Sequence, residues 1–448
     1  MRQLKLGAFF YPTGHHVAAW RHPEAQADAG INLSHYVEVA QLAERGKFDL
    51  FFLADHLSAW PGSIEAQSRM ARAEYLEPLT LLSAVATLTR NIGLVATATT
   101  TYNEPFHIAR KYASLDHISG GRAAWNLVTS SIENEAANFG FDVHLAHAKR
   151  YERAREFAQV VTGLWDSWDD DAFLRDKTSG LYFNPDGLHV LNHKGPHFSV
   201  KGPLNVARSP QGRPVIVQAG SSGDGKLLAA ETAEIVFTAH LTRGDAQAFY
   251  ADVKDQVVRA GRSPDDVKIM PGLFPVIGRS AAEAEEKYDE LQSLVHPDVG
   301  LALLASMLGG ADLSGYPLDG PLPDLPATNN LKSRADLLIA AARRENLTIR
   351  QLYLRNAGGR GHYTVIGTPS QIADAMEDWF VNHAADGFNV MPPVLPGDLR
   401  DFVDLVVPEL QRRGLFRTEY TGRTLRENLG LKRPANQFAS VVKEGHHA

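Results

Sequence analysis

The run FDLFFLA at Phe48–Ala54 is apolar almost throughout. A stretch of strand length without polar alternation suits a strand buried on both faces, which is the setting of a parallel sheet covered by helices. Seven further runs have the same character: Leu4–Phe10, Ile92–Ala98, Arg122–Val128, Pro214–Gln218, Ile235–Thr238, Val267–Ile277 and Phe388–Met391. Helical segments separate them, among them His35–Gly46, Pro78–Thr89, Phe106–Ile118 and Lys149–Trp165. Strands alternating with helices imply parallel pairing. Eight such units over 448 residues predict an α/β fold, a (β/α)8 TIM barrel, in preference to an open sheet.

The length exceeds a minimal barrel. Three stretches rich in Gly, Pro, Asp or Asn read as insertions over the barrel mouth, the C-terminal face: His56–Tyr75, Asp166–Arg213 and about Pro297–Gly361. A single domain spanning 1–448 follows, with a polar tail at Arg413–Ala448 expected to wrap the surface or fray. The chain has no cysteine, which removes disulfides, thiolate metal sites and Cys nucleophiles. Its 45 basic and 52 acidic residues give a net charge of −7 without a basic block, which argues against nucleic-acid binding. No apolar stretch is long enough to span a membrane, and the N-terminus MRQLKLGAFF has no signal-peptide pattern. A soluble cytoplasmic protein is expected.

Six motifs could carry chemistry. GSSGDGK at Gly220–Lys226 lies between the strand PVIVQ and a helical run. A Gly/Ser turn at a helix N-terminus presents backbone N–H groups to an anion, and Ser221 and Ser222 add hydroxyls. The spacing resembles the start of a P-loop, but Leu227 stands where that loop needs Ser or Thr, so a phosphate-bearing cofactor fits better than an NTPase. Asp55 and His56 follow the strand FFLA, on the face where barrel enzymes react substrates; Asp55 could accept from a ligand or cap a turn. Thr97, Thr99, Thr100 and Thr101 leave the third strand, either bonding loop backbone or meeting a polar heterocycle. Asn126 in WNLVTSS needs a partner if buried, in the core or in a ligand. His147 and Tyr151 share one helix face; His144 and His147 lack the third ligand of a metal site, so none is expected. TGHHVAAWRHP at Thr13–Pro23 places His15, His16, Trp20 and Arg21 after the first strand, as a substrate site or a solvated loop.

Taken in order, TGHH…WRHP, ERGKFDLFFLAD, SLDHISGGRAAWNLVTS, RYERAREF and QAGSSGDGK resemble the bacterial luciferase-like, FMN-dependent two-component monooxygenases. Within them the chain is similar to the nitrilotriacetate, EDTA and dibenzothiophene sulfone monooxygenase branch, over roughly residues 4–415. The resemblance implies a barrel with insertions and reduced FMN supplied by a separate NAD(P)H:flavin reductase, a partner that need not form a stable complex. It implies O2 as co-substrate and a homodimer or homotetramer. It places Asp55 near the flavin ring edge, Thr99 or Thr100 after the third strand, Asn126 beside the ring, His147 and Tyr151 at the phosphate and ribityl side, and Ser221 and Ser222 in the phosphate loop. Some relatives carry a Cys after the first strand; this chain has none. The expected reaction oxygenates a small N- or S-containing molecule and leads to C–N or C–S cleavage. His15, His16 and His56 are the candidates for proton transfer. Trp20, Arg21 and Arg72 are the candidates for substrate binding, the arginines through a carboxylate. The alternatives are an F420-dependent hydride-transfer enzyme on the same barrel, or a non-catalytic flavin-binding protein.

Overall fold

The computed structural model describes residues 2–59, 63–325 and 332–438. Parts of the expected insertions at 56–75 and 297–361, and the tail after 438, lie outside them. Eight strands are β1 Lys5–Phe10, β2 Leu50–Leu53, β3 Gly93–Thr99, β4 Ala123–Val128, β5 Val215–Gln218, β6 Ile235–Thr238, β7 Lys268–Ile277 and β8 Gly387–Val390. Each pairs in parallel with the next, and β8 pairs with β1 through Lys5↔Gly387 and Gly7↔Asn389, which closes the barrel. All eight expected strands are therefore present. Outside the barrel, the strand Tyr363–Gly367 pairs in parallel with the distal half of β7, and His193–Lys194 and Ser199–Val200 form a short antiparallel pair in the insertion at 166–213. Tyr363–Gly367 escapes a search for continuous apolar runs because it is only half-buried.

Inward side chains fill the barrel as a packed core. Phe9 stacks on Phe52 at 4.8 Å between centroids, and Phe237 meets Phe9 edge-on at 5.0 Å. Val95 and Ala124 belong to the same buried cluster. Because strand side chains alternate with a period of two, Thr97 and Asn126 are the next inward positions on β3 and β4. The interior thus turns polar toward the C-terminal ends of the strands.

The opposite end is closed by the tail. Leu425, Leu429 and Leu431 are buried with the barrel core, and Leu4 N–H donates to Leu415 O at 2.8 Å. The segment expected to wrap the surface or fray instead buries a leucine face spaced four residues apart on the short helix Leu425–Leu429. The insertion at 166–213 joins it there. Asp166 pairs with Arg208 and Arg213, and its carbonyl accepts from Asn436 at 3.2 Å. It follows the helix His147–Trp165, which runs back from the mouth, so the insertion starts at the barrel's N-terminal end. The other two insertions reach the mouth.

Candidate active site

A cleft of about 2220 Å³ opens at the C-terminal ends of the strands. Tyr11 after β1, Asp55 and His56 after β2, Thr97 and Thr99 on β3, Ser130 after β4 and Gln218–Ser222 at the end of β5 line it. The insertions add Leu57, Ser63 and Glu65 on one side and Asp298–Ser314 in part on the other.

At one end stands the turn after β5. Ser222 caps the helix Gly223–Thr232, its hydroxyl accepting from Gly225 N–H at 3.1 Å. Gly220 and Gly225 approach so closely that a Cβ on Gly220 would stand 2.7 Å from the Cα of Gly225. His147 and Tyr151 flank this turn from the helix His147–Trp165, their rings 4.8 Å apart. His147 Nδ1 lies 3.4 Å from the Asp224 carboxylate. Arg150 shares the lining, and its guanidinium donates to Ser130 O. A helix N-terminus with two hydroxyls, an arginine and a histidine suits a phosphate.

At the inner wall, Asn126 Nδ2 donates to Thr97 Oγ1 at 2.8 Å, and Thr97 donates to Leu53 O at 2.7 Å. This leaves Asn126 Oδ1 buried without a partner, and Gln218 Oε1 is in the same condition. Buried acceptors without donors call for a ligand or water that brings N–H or O–H groups. A heterocycle with ring N–H donors, such as a flavin, supplies them. Thr99 Oγ1 instead accepts from Ser130 Oγ at 2.9 Å and Thr101 N–H at 3.1 Å.

Carboxyl and imidazole groups gather between these ends. Burial, reinforced by the nearby Glu77 and Glu135 charges, raises the Asp55 pKa to about 7. Burial holds the His56 imidazole below its ordinary pKa, and its Nδ1 pairs closely with the Tyr75 hydroxyl. Glu135 accepts from Leu57 N–H at 3.1 Å through Oε1, while Oε2 is buried without a partner.

The Asp55 shift has a testable sign. The folded chain holds this proton up to about pH 7, the unfolded chain only to about 3.8. The associated stability is full below the ordinary aspartate pKa and is lost as pH rises through 7. Asp55→Asn is therefore expected to raise the melting temperature of the apoprotein at pH 8 and leave it near wild type at pH 4. An unchanged or lowered value at pH 8 counts against this.

The structure brings Asp55, His56, Thr99, His147, Tyr151, Ser221 and Ser222 to one cleft; Asn126 is buried next to it, bonded to the lining Thr97. Other expected residues lie outside the lining. Thr100 is buried and donates to Val128 O at 3.2 Å. His15 and His16 are buried, with His15 Nε2 on Phe9 O at 2.8 Å and His16 Nε2 on Gln292 Oε1 at 3.3 Å. Burial lowers both imidazole pKa values, His16 to about 4, so neither ring is cationic near neutrality. Trp20 Nε1 donates to Arg69 O at 3.0 Å, and Arg21 donates to Leu294 O, both on the exterior. Arg72 is buried beside Tyr11 and donates to His15 O at 3.0 Å. The physical reason is common to the Thr13–Pro23 block: it folds against the insertions as a packed support for the mouth. No motif in the sequence singles out Tyr11, Tyr75, Ser130, Glu135, Arg150 or Gln218 as site residues. Gln218 carried a readable signal, a polar residue ending an apolar strand, the same one that marks Asn126.

The comparisons with known proteins agree with this geometry. The family model described as "Luciferase-like monooxygenase" matches residues 9–387. The N-acetyl-S-(2-succino)cysteine monooxygenase of Bacillus subtilis (strain 168) is 56% identical over 440 residues, covering 98% of this chain and 99% of that protein. Nitrilotriacetate monooxygenase component A of Aminobacter aminovorans is 53% identical over 446 residues, covering 98% of each chain. The solved structure of a riboflavin lyase with modified FMN and riboflavin superposes with a TM-score of 0.84 at 32% identity, covering 97% of each chain. Closed barrel, cleft and sequence together establish that the chain belongs to the luciferase-like monooxygenase family.

Proposed function

We propose that the chain is the oxygenase component of a two-component, reduced-FMN-dependent monooxygenase acting on a small N- or S-containing organic molecule. The observation that carries this reading is the two-ended cleft: a phosphate-type turn at Ser221–Ser222, and buried donorless oxygens of Gln218, in the lining, and of Asn126, bonded to the lining Thr97. Reduced FMN, when bound, supplies two electrons with which O2 inserts one oxygen atom into the substrate and releases the other as water. Oxygenation at a carbon beside N or S leaves a product whose collapse cleaves the C–N or C–S bond.

The chain's own residues bind, orient and exclude water. Ser221, Ser222, Arg150, His147 and Tyr151 would hold the phosphate and ribityl side. Asn126 and Gln218 would accept ring N–H groups, and Thr99 would pack at the ring edge. Asp55, poised near pH 7, would hold or release a proton there, and His56 with Tyr75 would move protons on the substrate side. The insertions at the mouth would keep water out. The name "component A" of one relative supports a separate flavin reductase as partner. We place the enzyme in the cytoplasm as a homo-oligomer; among the described residues no helix is long and apolar enough to cross a membrane.

The test is turnover of N-acetyl-S-(2-succino)cysteine or nitrilotriacetate with FMN, NADH and a generic flavin reductase, in air and under argon. Product is expected only in air, with one oxygen atom from labelled O2 in the oxygenated product or the water balance accounted for. Product under argon would favour F420-type hydride transfer instead. Tight flavin binding without turnover of either compound would favour a flavin-storing protein.

A further inference from the structure

Two guanidinium groups converge on one tyrosine of the cleft. Tyr11 lines it directly. The Cζ of Arg72, from the first insertion, lies 4.7 Å from the Tyr11 ring centroid. The Cζ of Arg360, from the insertion at 297–361, lies at the same 4.7 Å. His15 ties the two together. Its carbonyl accepts from Arg72 Nη2 at 3.0 Å, and its Nδ1 accepts from Arg360 Nη2 at 3.0 Å. The opposite nitrogen, Nε2, donates to Phe9 O at 2.8 Å, so the ring is neutral and adds no charge.

This arrangement is costly as it stands. Burial and the neighbouring Arg360 charge lower the Arg72 pKa to about 9. Among the described residues no carboxylate pairs with Arg360, and its Nε is buried without a hydrogen-bond partner. Arg360 also adopts φ 48°, in the left-handed region that side chains other than Gly seldom occupy. Such strain persists where the surrounding structure holds a residue for a purpose. Like charges gathered near a cleft, with a donor left over, are stabilised by an anion. Burial raises the Tyr11 pKa, but Arg360 and Arg72 together outweigh it and lower the phenol below its ordinary value. That makes its O–H a stronger donor to an anion.

We propose that Tyr11, Arg360 and Arg72 form a receptor for a carboxylate of the substrate, so that the enzyme takes organic acids in preference to neutral amines or thioethers. This rests on the monooxygenase reading of the cleft and names its substrate class. Tyr11 donates to the carboxylate, and the guanidiniums supply the opposing charge.

The test measures binding, not turnover. The full chain, loaded with FMN, is titrated calorimetrically with N-acetyl-S-(2-succino)cysteine and with its neutral triamide. Wild type is expected to bind the acid at least tenfold more tightly than the triamide. R360Q should lose most of that preference, R360K should recover part of it, and Y11F should lose about threefold, each with FMN affinity retained. Equal binding of acid and triamide by wild type, or full acid preference in both R360Q and Y11F, would overturn the receptor. If R360Q does not fold, Y11F and R360K decide. Acid preference without oxygen-dependent turnover would sink the monooxygenase reading and leave the receptor standing; turnover without acid preference would do the reverse.

Discussion

Gly220→Val is expected to weaken binding of reduced FMN about a hundredfold, roughly 2.8 kcal/mol at 1.4 kcal/mol per tenfold, while the barrel remains folded. The reason is local. A Cβ on Gly220 would meet the backbone of Gly225 at 2.7 Å from Cα, 3.1 Å from C and 3.3 Å from O. None of these atoms can rotate away, so the turn must open from the N-terminus of the helix Gly223–Thr232. Opening moves Ser221, Ser222 and the backbone N–H groups off the position a phosphate would take. Gly223, three residues on, has nothing within 4 Å of its added Cβ. Gly223→Ala is therefore the matched control and should bind near wild type. Flavin titration under argon reads both. Binding by Gly220→Val within threefold of wild type would show that the phosphate sits elsewhere.

The second large effect is on stability and lies at the other end of the barrel. Asp49→Ala is expected to cost about 3–5 kcal/mol, the range for removing one partner of a buried ion pair. Asp49 is buried immediately before β2; one carboxylate oxygen accepts from Leu6 N–H of β1 at 2.8 Å and the other from the Arg417 guanidinium of the tail. Its loss strands a buried cation and an unpaired backbone donor together. The exposed pair Arg45–Asp404, at 2.5 Å, is the contrast: Asp404→Ala should cost less than about 1 kcal/mol. Urea unfolding of both variants measures the difference. Similar midpoints for the two would mean that the Asp49–Arg417 contact does not hold the tail to the barrel.

The barrel was legible because its strands are buried on both faces. FDLFFLA and IVFT carry that burial in their composition, so local sequence and tertiary position agree. The half-buried outer strand Tyr363–Gly367 lacks that signature, and the buried leucines of the tail are thinly spread among polar neighbours. In the site, GSSGDGK, FFLAD and WNLV announced themselves because a polar or glycine-rich break directly ends or interrupts an apolar strand. Glu135 and Arg150 did not, since charged residues on surface-like segments look the same whether or not they face a cleft.

The sequence by itself determined the closed barrel and the positions at strand ends, for the period and burial of each strand fix which end of it meets solvent. The tertiary structure alone decided which loop residues share a cavity. His15 and His16 stand in a block that reads as reactive, yet they are buried as supports, whereas Arg360, 345 residues from His15 along the chain, arrives at the same tyrosine. Contacts across that separation depend on how the insertions pack on one another. No local pattern records that packing.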